Sequence, residues 1–105
     1  MKATNKENTL QLGMEEDITS TNVRQHMEQA REALSNADKS IDRVEMDLSQ
    51  VKQIDSQGLN FLVGLYQECH RNEMSFRVTG VSSPLKRLFH FVKLHERFGI
   101  DAKDA

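Results

Sequence analysis

Residues 43–63, RVEMDLSQVKQIDSQGLNFLV, pass from one hydrophobic period to another within a short span. Val44, Met46 and Leu48 sit at alternate positions, the period-two pattern of a strand with one buried face. Residues 49–54, SQVKQI, form a short connection, and Asp55-Ser56-Gln57-Gly58 leads into a helix over about 57–71. The helix is read from an apolar stripe of Leu59, Leu62, Val63, Tyr66 and Cys69, widened by Phe61 and Leu65. A strand that feeds a helix through a short loop is the first half of a crossover connection.

The flanking segments repeat the alternation. Upstream, residues 9–15 place Leu10, Leu12 and Met14 on one side of a strand, and Lys6-Glu7-Asn8 reads as a turn after a short edge strand over residues 2–5. Between these two strand regions, residues 20–37 change period. Val23, Met27, Ala30, Leu34 and Ala37 recur every three or four positions, with Thr19 or Ser20 as the N-cap. The opposite side carries Arg24, Gln25, Glu28, Arg31 and Glu32, a solvated surface. Downstream, residues 75–79 read as a strand through Phe76 and Val78. Ser82-Ser83-Pro84 opens a third helix, serine at the cap and proline at the first helical position, running through Val92. A last short strand is expected over residues 98–100, before a frayed tail. The order predicts an α/β fold, a small mixed β-sheet with helices packed largely on one face.

With 105 residues the chain is sized for a single domain, 1–105, with its core over about 9–100. Hydrophobic residues make up 37% and charged residues 29%, enough for a modest core and too apolar for a disordered chain. Mean hydropathy is −0.63 and the formal charge is −2, without the basic excess of a phosphate-backbone binder, so no nucleic-acid partner is expected. The most apolar stretch, residues 59–66, is far short of the roughly 20 residues that cross a bilayer. The first residues carry no apolar signal region, and the single Cys69 fits a reducing compartment. The expectation is a cytoplasmic monomer without membrane contact.

Chemistry is sought first in Asp55-Ser56-Gln57-Gly58-Leu59, at the carboxyl end of the strand region, where sheets with helical crossovers tend to present functional loops. Ser56 falls at or next to the helix N-cap, close to unpaired backbone N–H groups and the positive end of the helix dipole, a favourable place for a phosphate. Gly58 leaves space for the approach of a partner surface. The same residues also make an ordinary helix cap, because Asp and Ser are preferred there. Local physics leaves both readings open.

The run Asp55-Ser56-Gln57-Gly58-Leu59, followed by Phe61-Leu62-Val63 and Tyr66, resembles the signature loop of the STAS family, the anti-sigma factor antagonists and their relatives. Val44-Glu45-Met46-Asp47-Leu48-Ser49 is similar to the family's central strand, and Ser83-Pro84-Leu85-Lys86-Arg87-Leu88-Phe89 to the helix after its fourth strand. Glu16-Asp17-Ile18-Thr19 stands where the family has a Gly-acidic-Leu-Asp turn. The resemblance implies the STAS fold and a non-enzymatic switch. Ser56 would be phosphorylated by a cognate serine kinase that can double as an anti-sigma factor, and a metal-dependent serine/threonine phosphatase would reverse the mark. The unphosphorylated form would bind its partner through Asp55, Ser56, Gln57, Gly58 and Leu59, and the phosphorylated form would release it. Some single-domain relatives control biofilm or exopolysaccharide output, which the resemblance includes. The chain departs from the family at Gln57, which replaces a second hydroxyl and leaves Ser56 as the acceptor in the loop. It departs also at Glu16 and Thr19, and in a short C-terminus that implies a stunted last helix.

The remaining candidates read as structural. His90 and His95 are five apart, off the i, i+4 spacing of a helical zinc pair, and Cys69-His70 point to different sides of a helix. Lys86, Arg87, Lys93 and Arg97 with Phe89 and Phe91 make a basic end that fits a solvated or partner-facing surface. No glycine-rich phosphate loop appears and no cofactor or metal is expected. Two alternatives stay open: a constitutive interaction domain in which Ser56 only caps, and a small enzyme using Ser56 as nucleophile.

Overall fold

The computed structural model describes residues 1–100. Lys2–Lys6 (β1) and Thr9–Gly13 (β2) form an antiparallel hairpin, turning at Glu7, which takes a left-handed conformation (φ 56°). The edge strand is one residue longer than the reading of 2–5, and all five of its residues are exposed. Helix α1 (Val23–Ser35), strand β3 (Arg43–Asp47), helix α2 (Ser56–Arg71), strand β4 (Ser75–Thr79) and helix α3 (Ser83–Phe91) follow. The sheet order is β1-β2-β3-β4, with β2, β3 and β4 parallel, so the sheet is mixed as expected.

Register explains why only one face is covered. Leu10, Val44 and Phe76 stand side by side, as do Leu12, Met46 and Val78, and all six are buried. Because side chains alternate across a strand, Gln11, Glu45 and Arg77 line up on the opposite, polar face. Each large apolar side chain removed from water contributes about 1.5–3 kcal/mol, so the covered face favours this register over a one-residue slip.

The helices meet that face through stripes that differ in detail from the sequence reading. On α2 the buried positions are Gly58, Phe61, Leu62, Leu65 and Cys69, while Leu59, Val63 and Tyr66 are half-buried. The stripe is turned because α2 packs both on β4 and against α1. Helix α1 starts at Val23 and not at residue 20. Its N-cap is Asn22, and neither Thr19 nor Ser20 holds that position. In α3, Ser82 is at the N-cap position without a side-chain capping bond, and Pro84 is the second helical residue.

Residues 98–100 do not form a strand. After α3 the chain reverses through Lys93 (φ 60°), with the Leu94 N–H donating to the Phe89 carbonyl at 2.8 Å. The Gly99 and Ile100 N–H groups then bond to the Glu96 and His95 carbonyls within the same turn, so the backbone tie to β4 is the Phe98 carbonyl accepting from the Val78 N–H at 2.9 Å, with the Gly99 carbonyl accepting from the Arg77 guanidinium at 3.5 Å. Phe98 acts as a plug, edge-on to Phe76 (5.9 Å) and Phe89 (5.3 Å). The same reversal stacks His90 on His95 at 4.0 Å, although the two lie off any shared helix face. The expected frayed end falls on residues 101–105, outside the described residues. Among the described residues no helix is long and apolar enough to cross a membrane.

Cys69 is fully buried, and desolvation pushes its thiol up to about 12. A thiol reagent added to native protein at pH 8 should leave Cys69 unlabelled, and complete labelling should appear only in denaturant. Rapid labelling without denaturant would show that α2 is packed differently.

Candidate functional site

Because β2, β3 and β4 are parallel, the turn after β2 (residues 14–22) and the loop after β3 (residues 48–55) emerge at the same end of the sheet. The two segments are joined by a one-residue parallel bridge between Ile18 and Ile54. The Ile18 N–H donates to the Gln53 carbonyl and the Asp55 N–H to the Ile18 carbonyl, each at 3.3 Å. Ile18 is buried completely and Ile54 nearly so.

Two carboxylates fasten this bridge from opposite sides. Asp17 Oδ1 accepts the Lys52 and Gln53 N–H groups at 2.7 and 3.1 Å. Asp55 accepts the Gly58 N–H on Oδ1 at 2.9 Å, capping α2, and the Ser20 N–H on Oδ2 at 2.8 Å, reaching across to the other segment. Asn22 holds the turn from within. Its Oδ1 accepts the Thr19 N–H at 3.0 Å and its Nδ2 donates to the Asp17 carbonyl at 2.7 Å. The Asn22 and Val23 N–H groups donate to the Thr19 carbonyl at 3.1 and 2.9 Å, so residues 19–22 form a turn ahead of α1 and the cap position falls on Asn22.

Asp55 is thus the N-cap of α2, and Ser56 is the first helical residue. Ser56 and Gln57 are exposed, and Asp55 and Leu59 are half-buried. Gly58 is buried, and its lack of a side chain serves an internal contact, correcting the expectation that it opens space for a partner. A Cβ there would collide with the Ile18 carbonyl and lie 2.6 Å from Ile54 Cγ2. The hydrogen bonds from Gly58, then Ser20, hold the Asp55 carboxyl below its ordinary 3.8, since they favour the ionised form. Ser56 therefore projects from a helix start whose neighbour is a fixed negative charge.

Shallow grooves flank the loop. One of about 550 Å³ lies between α1 and α2, with Arg24, Met27 and Gln57 in its wall. Another of about 310 Å³ lies between residues 52–55 and α3, lined in part by Lys52, Leu85 and Leu88. Among the described residues no group of three or more His, Cys, Asp or Glu is placed to hold a metal ion. Sequence reasoning missed the latch roles of Asp17 and Asn22, and also His26. His26 is buried on α1, with Nε2 3.1 Å from Glu16 Oε1. Its signal was available, since position 26 lies between Val23 and Ala30 on the inward stripe.

The family model described as Mlab, STAS domain matches residues 1–100. The chain belongs to the STAS family. Among solved structures, a Thermotoga maritima protein assigned as an anti-sigma factor antagonist superposes with a TM-score of 0.81 at 16% identity. That match covers 90% of this chain and 80% of the other. The anti-sigma factor antagonist SpoIIAA in its unphosphorylated form gives 0.67 at 13% identity, covering 86% of this chain and 81% of SpoIIAA. The phosphorylated form of SpoIIAA from Bacillus gives 0.65 at 14% identity, over 90% and 85% of the two chains. At these identities the likeness shows the STAS fold. No curated protein sequence matches the chain at a significant level.

The two glycines of α2 separate packing from propensity. Gly58→Ala should destabilise the STAS domain by about 1–3 kcal/mol through overpacking at Ile18. Gly64→Ala should be neutral or stabilising, because a Cβ there meets only Met27 Cε at 3.6 Å. Urea unfolding of the two variants checks the contrast. Asp55 has a lowered pKa in the folded state, so its contribution is present above the ordinary value and lost as pH falls through the folded value. Asp55→Asn should therefore flatten the fall in melting temperature below about pH 4, measured by circular dichroism against wild type.

Proposed function

We propose that this STAS protein is a phosphorylation-controlled partner-switching regulator of the anti-sigma factor antagonist kind, with Ser56 as its phosphoacceptor. The observation that carries the reading is the position of Ser56, exposed at the first residue of α2 beside an ionised Asp55. The likeness to SpoIIAA, solved in both unphosphorylated and phosphorylated forms, supports the same mode of control.

The physics of such a switch follows from the loop. A kinase can reach the hydroxyl without unfolding anything, because Ser56 is exposed and the latching bonds run through Asp55. Phosphorylation adds a charge of about −1.5 to −2 next to the Asp55 carboxylate. A partner that buries this surface must then desolvate the phosphate and face two like charges together, so the complex is disfavoured. Exposed Gln57 and half-buried Asp55 and Leu59 form the rest of the contact rim, and buried Gly58 shapes the helix start beneath it.

In this reading a serine kinase that acts as an anti-sigma factor writes the mark in the cytoplasm, and a serine/threonine phosphatase removes it from the monomeric protein. The output is transcription of a sigma-factor programme or of biofilm and exopolysaccharide genes.

Phosphate-affinity gels of protein recovered from its own cells should show a retarded band that Ser56→Ala abolishes. Purified Ser56→Ala should hold the partner in pull-down, and Ser56→Asp should bind it at least tenfold more weakly. Binding of Ser56→Asp equal to wild type would overturn the switch, as would a retarded band that survives Ser56→Ala.

A further inference from the structure

We infer that the stacked pair His90 and His95 is an acid-sensitive catch, which holds residues 93–100 over the edge of β4 and releases them when both rings are protonated.

Strand β4 ends the sheet, so no strand pairs with its outer side. A bare edge invites pairing with another chain, and a covering segment is one way to prevent it. Residues 93–100 supply that cover. The Val78 N–H donates to the Phe98 carbonyl at 2.9 Å, the Arg77 guanidinium reaches the Gly99 carbonyl at 3.5 Å, and Phe98 lies edge-on to Phe76 and Phe89. To get there the chain doubles back from α3 through left-handed Lys93. Left-handed backbone is uphill for a residue with a side chain, so the reversal depends on the contacts that hold it.

The histidine stack is one of those contacts. It joins the last turn of α3 to the returning segment, with ring centroids 4.0 Å apart and planes 20° from parallel. Within this half-buried pair, His90 Nε2 and His95 Nδ1 are buried and hydrogen-bond to no described residue. A proton added at such an atom is taken out of water without an acceptor in exchange. One charged ring can still lie against the π face of a neutral one. Two charged rings at this separation repel each other.

The surroundings add to that repulsion. On α3, half-buried Lys86 stands one turn before His90 on the same flank, and exposed Arg87 three residues before it. The returning segment carries exposed Lys93 and Arg97, and β4 contributes Arg77. Glu96, exposed, is the acid of this segment, and neither histidine is ion-paired with a carboxylate among the described residues. Lys52 and Asp55 share a groove with Pro84 and Leu88, which lie on the other flank of α3. The released segment therefore binds more protons than the held one, so acid favours release. Histidine changes charge between about pH 8 and 5, and the catch is closed at the upper end of that interval and open at the lower.

Hydrogen exchange followed by NMR tests the catch, with rates expressed as protection factors so that the intrinsic effect of pH cancels. Protection of the Val78 and Leu94 amides should fall by about tenfold from about pH 7.5 to 5.5, while the amides of the central strand β3 keep theirs. The Cε1 proton signals of His90 and His95 should titrate over the same interval. His95→Phe retains a stacked ring without a titrating group, so protection at Val78 should no longer change with pH, and His90→Phe should behave alike. Constant wild-type protection at Val78 and Leu94 would overturn the inference, as would histidine signals that do not move with the loss. An equal loss in β3 would mark global destabilisation and overturn it too. So would a fall that survives in either variant. If a variant loses the turn at neutral pH, the wild-type comparison decides by itself.

Discussion

The bridge between Ile18 and Ile54 is the constraint on which the site depends. Two segments that are far apart in sequence meet there through a pair of backbone hydrogen bonds and two buried isoleucines. The meeting is close enough that α2 must begin with a residue lacking a side chain at position 58. Without that approach the Asp55 carboxylate could not reach the Ser20 N–H, and the start of α2 would not be fixed against the turn before α1. The parallel pairing of β2 with β3 makes the approach possible, because it delivers both segments to one end of the sheet.

Carboxylates do the fastening, and this sets the electrostatic character of the surface. Asp17 and Asp55 each accept two backbone N–H groups, so their charges are held in place by groups that cannot move independently of the fold. Such hydrogen bonds to an ionised acceptor are stronger than neutral ones. Ser56, immediately after one of them, is left outside the fastening. A rigid loop that presents one unengaged hydroxyl next to a fixed negative charge can change its surface potential greatly while changing its backbone little.

Much of the architecture was legible because burial on one face writes itself into the sequence. Leu10 and Leu12, Val44 and Met46, and Phe76 and Val78 alternate with polar residues, and the strands follow. Ser83-Pro84 marked the third helix for the same kind of local reason, a fixed proline φ at a helix start. The failures lie where a residue had two possible uses. Phe98 and Ile100 alternate as a strand would, yet the chain between them closes its hydrogen bonds in a turn and buries Phe98 as a plug. Thr19 and Ser20 are good caps by composition, but the Thr19 carbonyl closes a turn with the Asn22 and Val23 N–H groups, which moves the start of α1 to Val23. Gly58 looked like an opening toward a partner and is a close contact with Ile18.

The sequence alone determined the order of the four strands and three helices up to residue 92, the buried faces of β2, β3 and β4, and the loop that holds Ser56, since these depend on local propensity and hydrophobic period. The tertiary structure decided which residue caps α2, why position 58 is glycine, how α2 is turned on the sheet, and that Phe91 is left exposed at the last turn of α3. Those features depend on contacts between segments distant in the chain. A hydrogen bond or a steric limit between two such segments leaves no periodic trace in either of them.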